Sequence, residues 1–286
     1  MAVYKRTYKP YSGPRTVAWS RFLIMTHYSF GRLFQSKFLV LFLASCVFYP
    51  VACLAFIYFS HNEQLLALLS LGNAKLPAID GKFFFVFCRV QGVFAYLLTA
   101  VVGPGLISPD LANGALPLYF SRPFSRVEYV AGKMTTMVIL LSLITWIPGL
   151  LLFAAQAGLS GWDWMVANFW LGGAILLALS LWSLLLSLIA LALSAWVKWK
   201  IAAGALVLGV FFAGTGFGAA INNVLRTQYG SLLSLNQVIY TVWGKLFRYD
   251  WGAQLSLSEA GTVLVLISVA CSWLLAKRIR PFEVVK

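Results

Sequence analysis

Apolar residues in this chain come in long blocks rather than in the short stripes of soluble helices or strands. Six blocks approach or exceed the roughly 20 residues that carry a helix across a hydrocarbon core: 38–59, 86–107, 134–155, 168–197, 201–221 and 260–276. The fourth is the longest and is expected to tilt or to extend beyond the bilayer, with Gly172-Gly173 a place for a bend. Only Lys198-Trp199-Lys200 separates it from the fifth, so these two form a tight hairpin with a basic tip. Pro50 and Pro148 fall inside spans one and three and should kink them. The pattern predicts an all-α integral membrane protein with six transmembrane helices. No internal repeat or soluble linker divides residues 1–286, which read as a single membrane domain.

Two shorter segments carry a helical period instead of a continuous run. Trp19, Phe22, Leu23, Phe30, Leu33 and Phe34 recur opposite Arg21, Ser29 and Arg32, as in an interfacial helix with basic flanks, although Met25 and Tyr28 blur the polar face. Between spans five and six, Val238, Ile239, Val242, Trp243, Leu246 and Phe247 form a cleaner stripe against Gln237, Thr241, Lys245 and Arg248. That second helix re-enters the outer leaflet, caps a cavity, or merely rests on lipid.

Composition agrees: 61% of the residues are hydrophobic, 10% are charged, and the mean hydropathy of +0.84 lies outside the range of soluble domains. The net charge of +14 raises nucleic acid as a partner, but the cations cluster beside apolar runs rather than along an aromatic-studded face, so membrane orientation explains them and no nucleic acid is expected. With the N-terminus inside, sixteen Lys and Arg lie on the cytoplasmic side and five outside. Both termini are therefore expected in the cytoplasm of a multi-pass protein of the cell (inner) membrane. This places the N-terminal segment 1–37, the loop 108–133 and the basic tail 277–286 inside, and the helical loop 222–259 outside. The first apolar run starts late and is too long for a signal-peptide core, so nothing looks cleaved. The four cysteines lie in apolar runs without metal-ligand or disulfide spacing and read as buried free thiols.

Candidate chemistry is sparse. All eight acids lie in loops or at span edges, which leaves no intramembrane carboxylate to couple a proton or sodium ion. His27 and His61 fall on opposite sides of the membrane and cannot share a metal. Gly132-Lys133 and Gly244-Lys245 lack the upstream glycine of a phosphate-binding loop, so no catalytic, cofactor or metal site is expected on this chain. Arg89, with Gln91 near the outer end of span two, is either a pathway or headgroup contact or a snorkelling side chain. Gly214 and Gly218 permit close helix approach, within the chain or in a dimer.

The loop 108–133 holds most of the remaining signal. Ser108, Pro109 and Asp110 have the order of an N-cap, a first helical proline and a dipole-matched acid, and Asn113-Gly114 is a stop, so a very short helix is expected here. Ser125 and Glu128 stand at capping-box spacing and start the helix of span three. Between them Leu116, Leu118, Tyr119 and Phe120 are too few to span and too apolar for water, so lipid, this chain or a partner must cover them.

Gly114-Ala115-Leu116, then Ser121-Arg122-Pro123-Phe124-Ser125-Arg126, then Gly132-Lys133 resembles the signature loop of type-2 ABC exporter permeases. Pro109-Asp110-Leu111 keeps one acid where that family usually has two. The resemblance implies a permease subunit whose short coupling helix between spans two and three seats on a separate ATPase subunit, which holds ATP and magnesium. It further implies a second permease chain, identical or different, completing the pathway. On this chain, the contact falls to the stretch from Asp110 to Phe120, with Arg122, Arg126 and Glu128 fixing the base of span three and the basic N-terminal helix as a second contact. The alternative is a non-transporting membrane scaffold on the same fold.

Overall fold

The computed structural model describes residues 20–62, 64, 77–121 and 124–279. Trp19, Arg122 and the tail from residue 280 onward therefore lie outside the described residues, which are helical and contain no strand. Among the described residues, six helices are long and apolar enough to cross a membrane, which makes this a multi-pass membrane protein.

A first helix, α1 (Arg21–Phe34), precedes span one, α2 (Lys37–Ser60). Span two, Gly81–Ala112, consists of α3 (Gly81–Val102) and α4 (Pro104–Ala112), joined at Gly103. A five-residue helix, α5 (Leu116–Phe120), follows. Span three, Arg126–Ser160, is α6 (Arg126–Ile144) and α7 (Trp146–Ser160), broken at Thr145. Spans four to six are α8 (Trp162–Trp196), α9 (Lys200–Leu225) and α11 (Leu257–Arg278), with α10 (Leu235–Leu246) between the last two.

At 1.5 Å per residue the 35 residues of α8 reach about 52 Å, far beyond a hydrocarbon core of about 30 Å. It runs unbroken through Gly172-Gly173, because Gly172 is filled by the Phe153 ring of α7 rather than left as a hinge. α8 is also the hub of the bundle, in contact with α3, α4, α6, α7, α9, α10 and α11. Spans two to four are buried most, whereas α2, α9 and α11 turn most of their surface outward. The close-packing glycines of α9 serve the chain itself: Gly214 and Gly218 lie against the backbone carbonyls of Leu233 and Gly230. The four cysteines are free and buried.

The bundle has two distinguishable ends. One carries α1, α5 and the C-terminus of α11, where the Arg278 side chain donates to the Ala195 carbonyl (3.3 Å). The other carries α10 and the contact of His61 Nε2 with Ser160 Oγ (2.9 Å). α10 does not merely rest on the surface. Its apolar stripe is buried against α3, α8, α9 and α11, with Trp243 fully enclosed.

Candidate functional site

At the terminal end, the loop between spans two and three is held from inside. Ser125 Oγ accepts from the Glu128 amide (3.2 Å) while the Ser125 amide donates to Glu128 Oε2 (2.6 Å), the reciprocal cap that starts α6. One turn on, Tyr129 and Lys133 share an inward face. Lys133 Nζ meets Asp110 Oδ2 at 2.9 Å, and the Tyr129 hydroxyl donates to the same oxygen at 2.8 Å. All three residues are buried. The carboxylate thereby links the end of span two to the start of span three. Burial makes the pair costly to break, because either charge left alone loses both water and partner.

Around this core the short helix α5 divides in two. Leu116 is buried, and the rings of Tyr119 and Phe120 pack on Tyr129 at 5.7 and 6.2 Å. Burial, then the Asp110 carboxylate, raise the Tyr119 phenol above its ordinary pKa. Leu118 points away from the bundle and is 72% exposed. Val127, on the first turn of α6, is exposed as well. Gly114 turns the chain into α5 at φ +63°, a conformation open to glycine.

The helix α1 braces the same corner. Its Thr26 hydroxyl donates to the Gly132 carbonyl (3.1 Å), and a Cβ on Gly132 would stand 2.8 Å from the Phe22 carbonyl oxygen and 2.9 Å from Met25 Cβ. Glycine is needed here for α1 to cross α6 at backbone distance. This explains why Ser29, expected on the polar face, is buried with Thr26, while Leu23, Ile24 and Tyr28 are exposed. The tight crossing accepts only small side chains.

Several sequence expectations change at this corner. Ser108 is not an N-cap: the helix already begins at Pro104, and Ser108 Oγ instead donates to the Ser194 carbonyl of α8 (3.0 Å). Asp110 does not face outward for a partner, since Lys133 and Tyr129 occupy its carboxylate inside the chain. The exposed apolar cluster narrows to Leu118. Arg126 is exposed at the head of α6, Glu128 is engaged by the cap, and Arg122 lies outside the described residues.

At the opposite end the structure separates the two residues that the sequence pairs. Arg89 is exposed, with its guanidinium over the Tyr240 ring at 4.8 Å and near Phe85 at 5.9 Å. Burial raises the Tyr240 phenol, and the Arg89 charge pulls it back down. Gln91, two residues on and so on another face, is fully buried. Its amide nitrogen donates to the carbonyls of Cys46 (3.1 Å) and Ile144. Those are the carbonyls four residues before Pro50 and Pro148, which have no N–H to offer them.

Sequence comparison adds no identity to this geometry: no family model matches the chain, and no curated protein matches it significantly.

Proposed function

We propose that this chain is the membrane-spanning permease subunit of an ATP-binding-cassette exporter, driven by a separate ATPase subunit and completed by a second permease chain. The observation that carries the reading is the loop from Gly114 to Lys133, whose residue order resembles the coupling loop of that class. Its organisation suits the role. A lever needs a free tip and a rigid root, and here Leu118 projects while Asp110, Tyr129 and Lys133 fix the root to spans two and three. The α1 helix, seated on Gly132, would transmit the same push. Nucleotide and magnesium would reside on the ATPase, and both termini would face the cytoplasm of the cell membrane.

Asp110 takes a different part from a docking acid in this reading: it ties together the ends of spans two and three that flank α5. The Leu118 tip is the partner contact. Mild detergent extraction of the tagged chain should recover a nucleotide-binding subunit, and Leu118→Asp should remove that subunit while the permease remains inserted and monodisperse. Undiminished recovery with Leu118→Asp would sink the coupling role. A partnered complex without substrate-stimulated ATP hydrolysis or vectorial movement would instead favour the scaffold.

A further inference from the structure

Membrane proteins concentrate Lys and Arg on the cytoplasmic side, so a cluster of cations at the other end needs a reason. Lys82, Arg89, Lys245 and Arg248 lie at that end, three of them over aromatic rings. Lys82 Nζ lies 6.0 Å from the Tyr249 ring centre, Arg89 stands over Tyr240, and Arg248 stands over Trp170 at 4.6 Å. Phe85 joins the group, with Tyr249 at 5.2 Å and Trp251 at 6.4 Å. None of the four cations has a carboxylate within ion-pairing distance among the described residues.

Beside this group opens a pocket of about 490 Å³ lined by Lys245, Arg248, Tyr249, Asp250 and Trp251, among others. Its chemistry is lopsided toward donors. Trp251 Nε1 is buried without an acceptor among the described residues, and its ring packs directly on Gly244, where a Cβ would stand 2.8 Å from Trp251 Cδ1 and 3.1 Å from that nitrogen. Arg248 is held at φ +51°, a backbone conformation that non-glycine residues seldom adopt. The one acid in the lining, Asp250, is exposed and accepts from the Gly252 amide (3.0 Å).

From this geometry we infer that the pocket is a binding site for a phosphate-bearing headgroup. Lys245 and Arg248 supply the charge, the Trp251 N–H supplies a directed donor, and the Tyr249 and Trp251 rings flank the ester substituent. Asp250 is placed to take a hydroxyl or ammonium on that substituent. An outer-leaflet phospholipid and a soluble phosphoester offer the same chemistry. The inference is independent of any ATPase, because every group in it belongs to this chain.

Native mass spectrometry of the full chain tests it, with phosphatidylglycerol and a diacylglycerol of the same acyl chains titrated in parallel. Wild type should hold phosphatidylglycerol about tenfold better than diacylglycerol. Lys245→Gln/Arg248→Gln should abolish that preference, Trp251→Phe should weaken it, and Lys245→Arg/Arg248→Lys should retain it. Displacement by glycerol 3-phosphate identifies a soluble phosphoester as sufficient; retention of the lipid against that competitor identifies the lipid as the ligand. Equal occupancy by the two lipids in wild type overturns the site. So does a preference that survives unchanged in both the double glutamine variant and Trp251→Phe, since the lipid then sits elsewhere.

Discussion

The side-chain amide of Gln91 does for Ile144 what the missing N–H of Pro148 cannot: it donates to the freed carbonyl, inside the bundle. Its second hydrogen serves the Cys46 carbonyl freed by Pro50 at 3.1 Å. One amide thus satisfies two proline defects, on two spans, where water is absent to do so. Gln91→Leu should destabilise the fold by about 2–4 kcal/mol, because two buried acceptors are orphaned together. Restoring one backbone donor with Pro148→Ala should recover part of that loss. Detergent thermal unfolding of the two single variants and the double variant reads the coupling, and strictly additive losses would refute it.

Asp110 and Lys133 should behave as a unit. Asp110→Asn leaves a buried ammonium without its counter-charge and should cost about 3–5 kcal/mol, with faster proteolysis of the loop. Asp110→Leu/Lys133→Met replaces both charges by apolar groups and should be less damaging than Asp110→Asn alone. The comparison is made by thermal unfolding, and the reverse order would show that the pair is not what fixes the loop.

Gly132 supports α1 by having no side chain. Gly132→Val places methyls where the Phe22 carbonyl and Met25 stand, so α1 should lift from α6. Hydrogen exchange of the α1 amides should accelerate while that of α8 is unchanged. Protection of α1 equal to wild type would mean that the crossing tolerates the extra volume.

Much of this architecture is legible in the sequence because bilayer physics leaves few alternatives. Continuous apolar length gives the six spans, and the 3.6-residue period gives α10. The Ser125–Glu128 cap is equally readable, since its two bonds need only local spacing. Ser108 shows where such reasoning ends. Ser-Pro-Asp has the order of a helix start, but Gly103-Pro104 had already begun that helix, and a serine at a helix crossing reads the same as a serine at a cap. Gln91 was open to a better reading: an intramembrane proline names the carbonyl it orphans, four residues back, and a lone amide on a neighbouring span is the natural donor. The exposure of Leu118 against the burial of Leu116 depends on where Tyr129 sits, which no local pattern contains.

Trp243 decides whether α10 is a structural plug or a surface ornament. Its indole N–H donates to the Ala178 carbonyl at 3.1 Å, its ring meets Trp182 edge-on at 6.0 Å, and both indoles fit because Gly92 leaves them room. Trp182 closes the set by donating to the Gly92 carbonyl at 3.1 Å. Trp243→Ala should therefore cost about 3–5 kcal/mol, the range for emptying a large buried aromatic site. Trp243→Phe should cost far less, because the Ala178 carbonyl lies within α8 and keeps its helical partner. Tryptic cleavage after Lys245 and Arg248 should rise in the alanine variant as α10 loosens. A helix that only rested on lipid would make both substitutions nearly neutral, and that result would remove α10 from the core of the bundle.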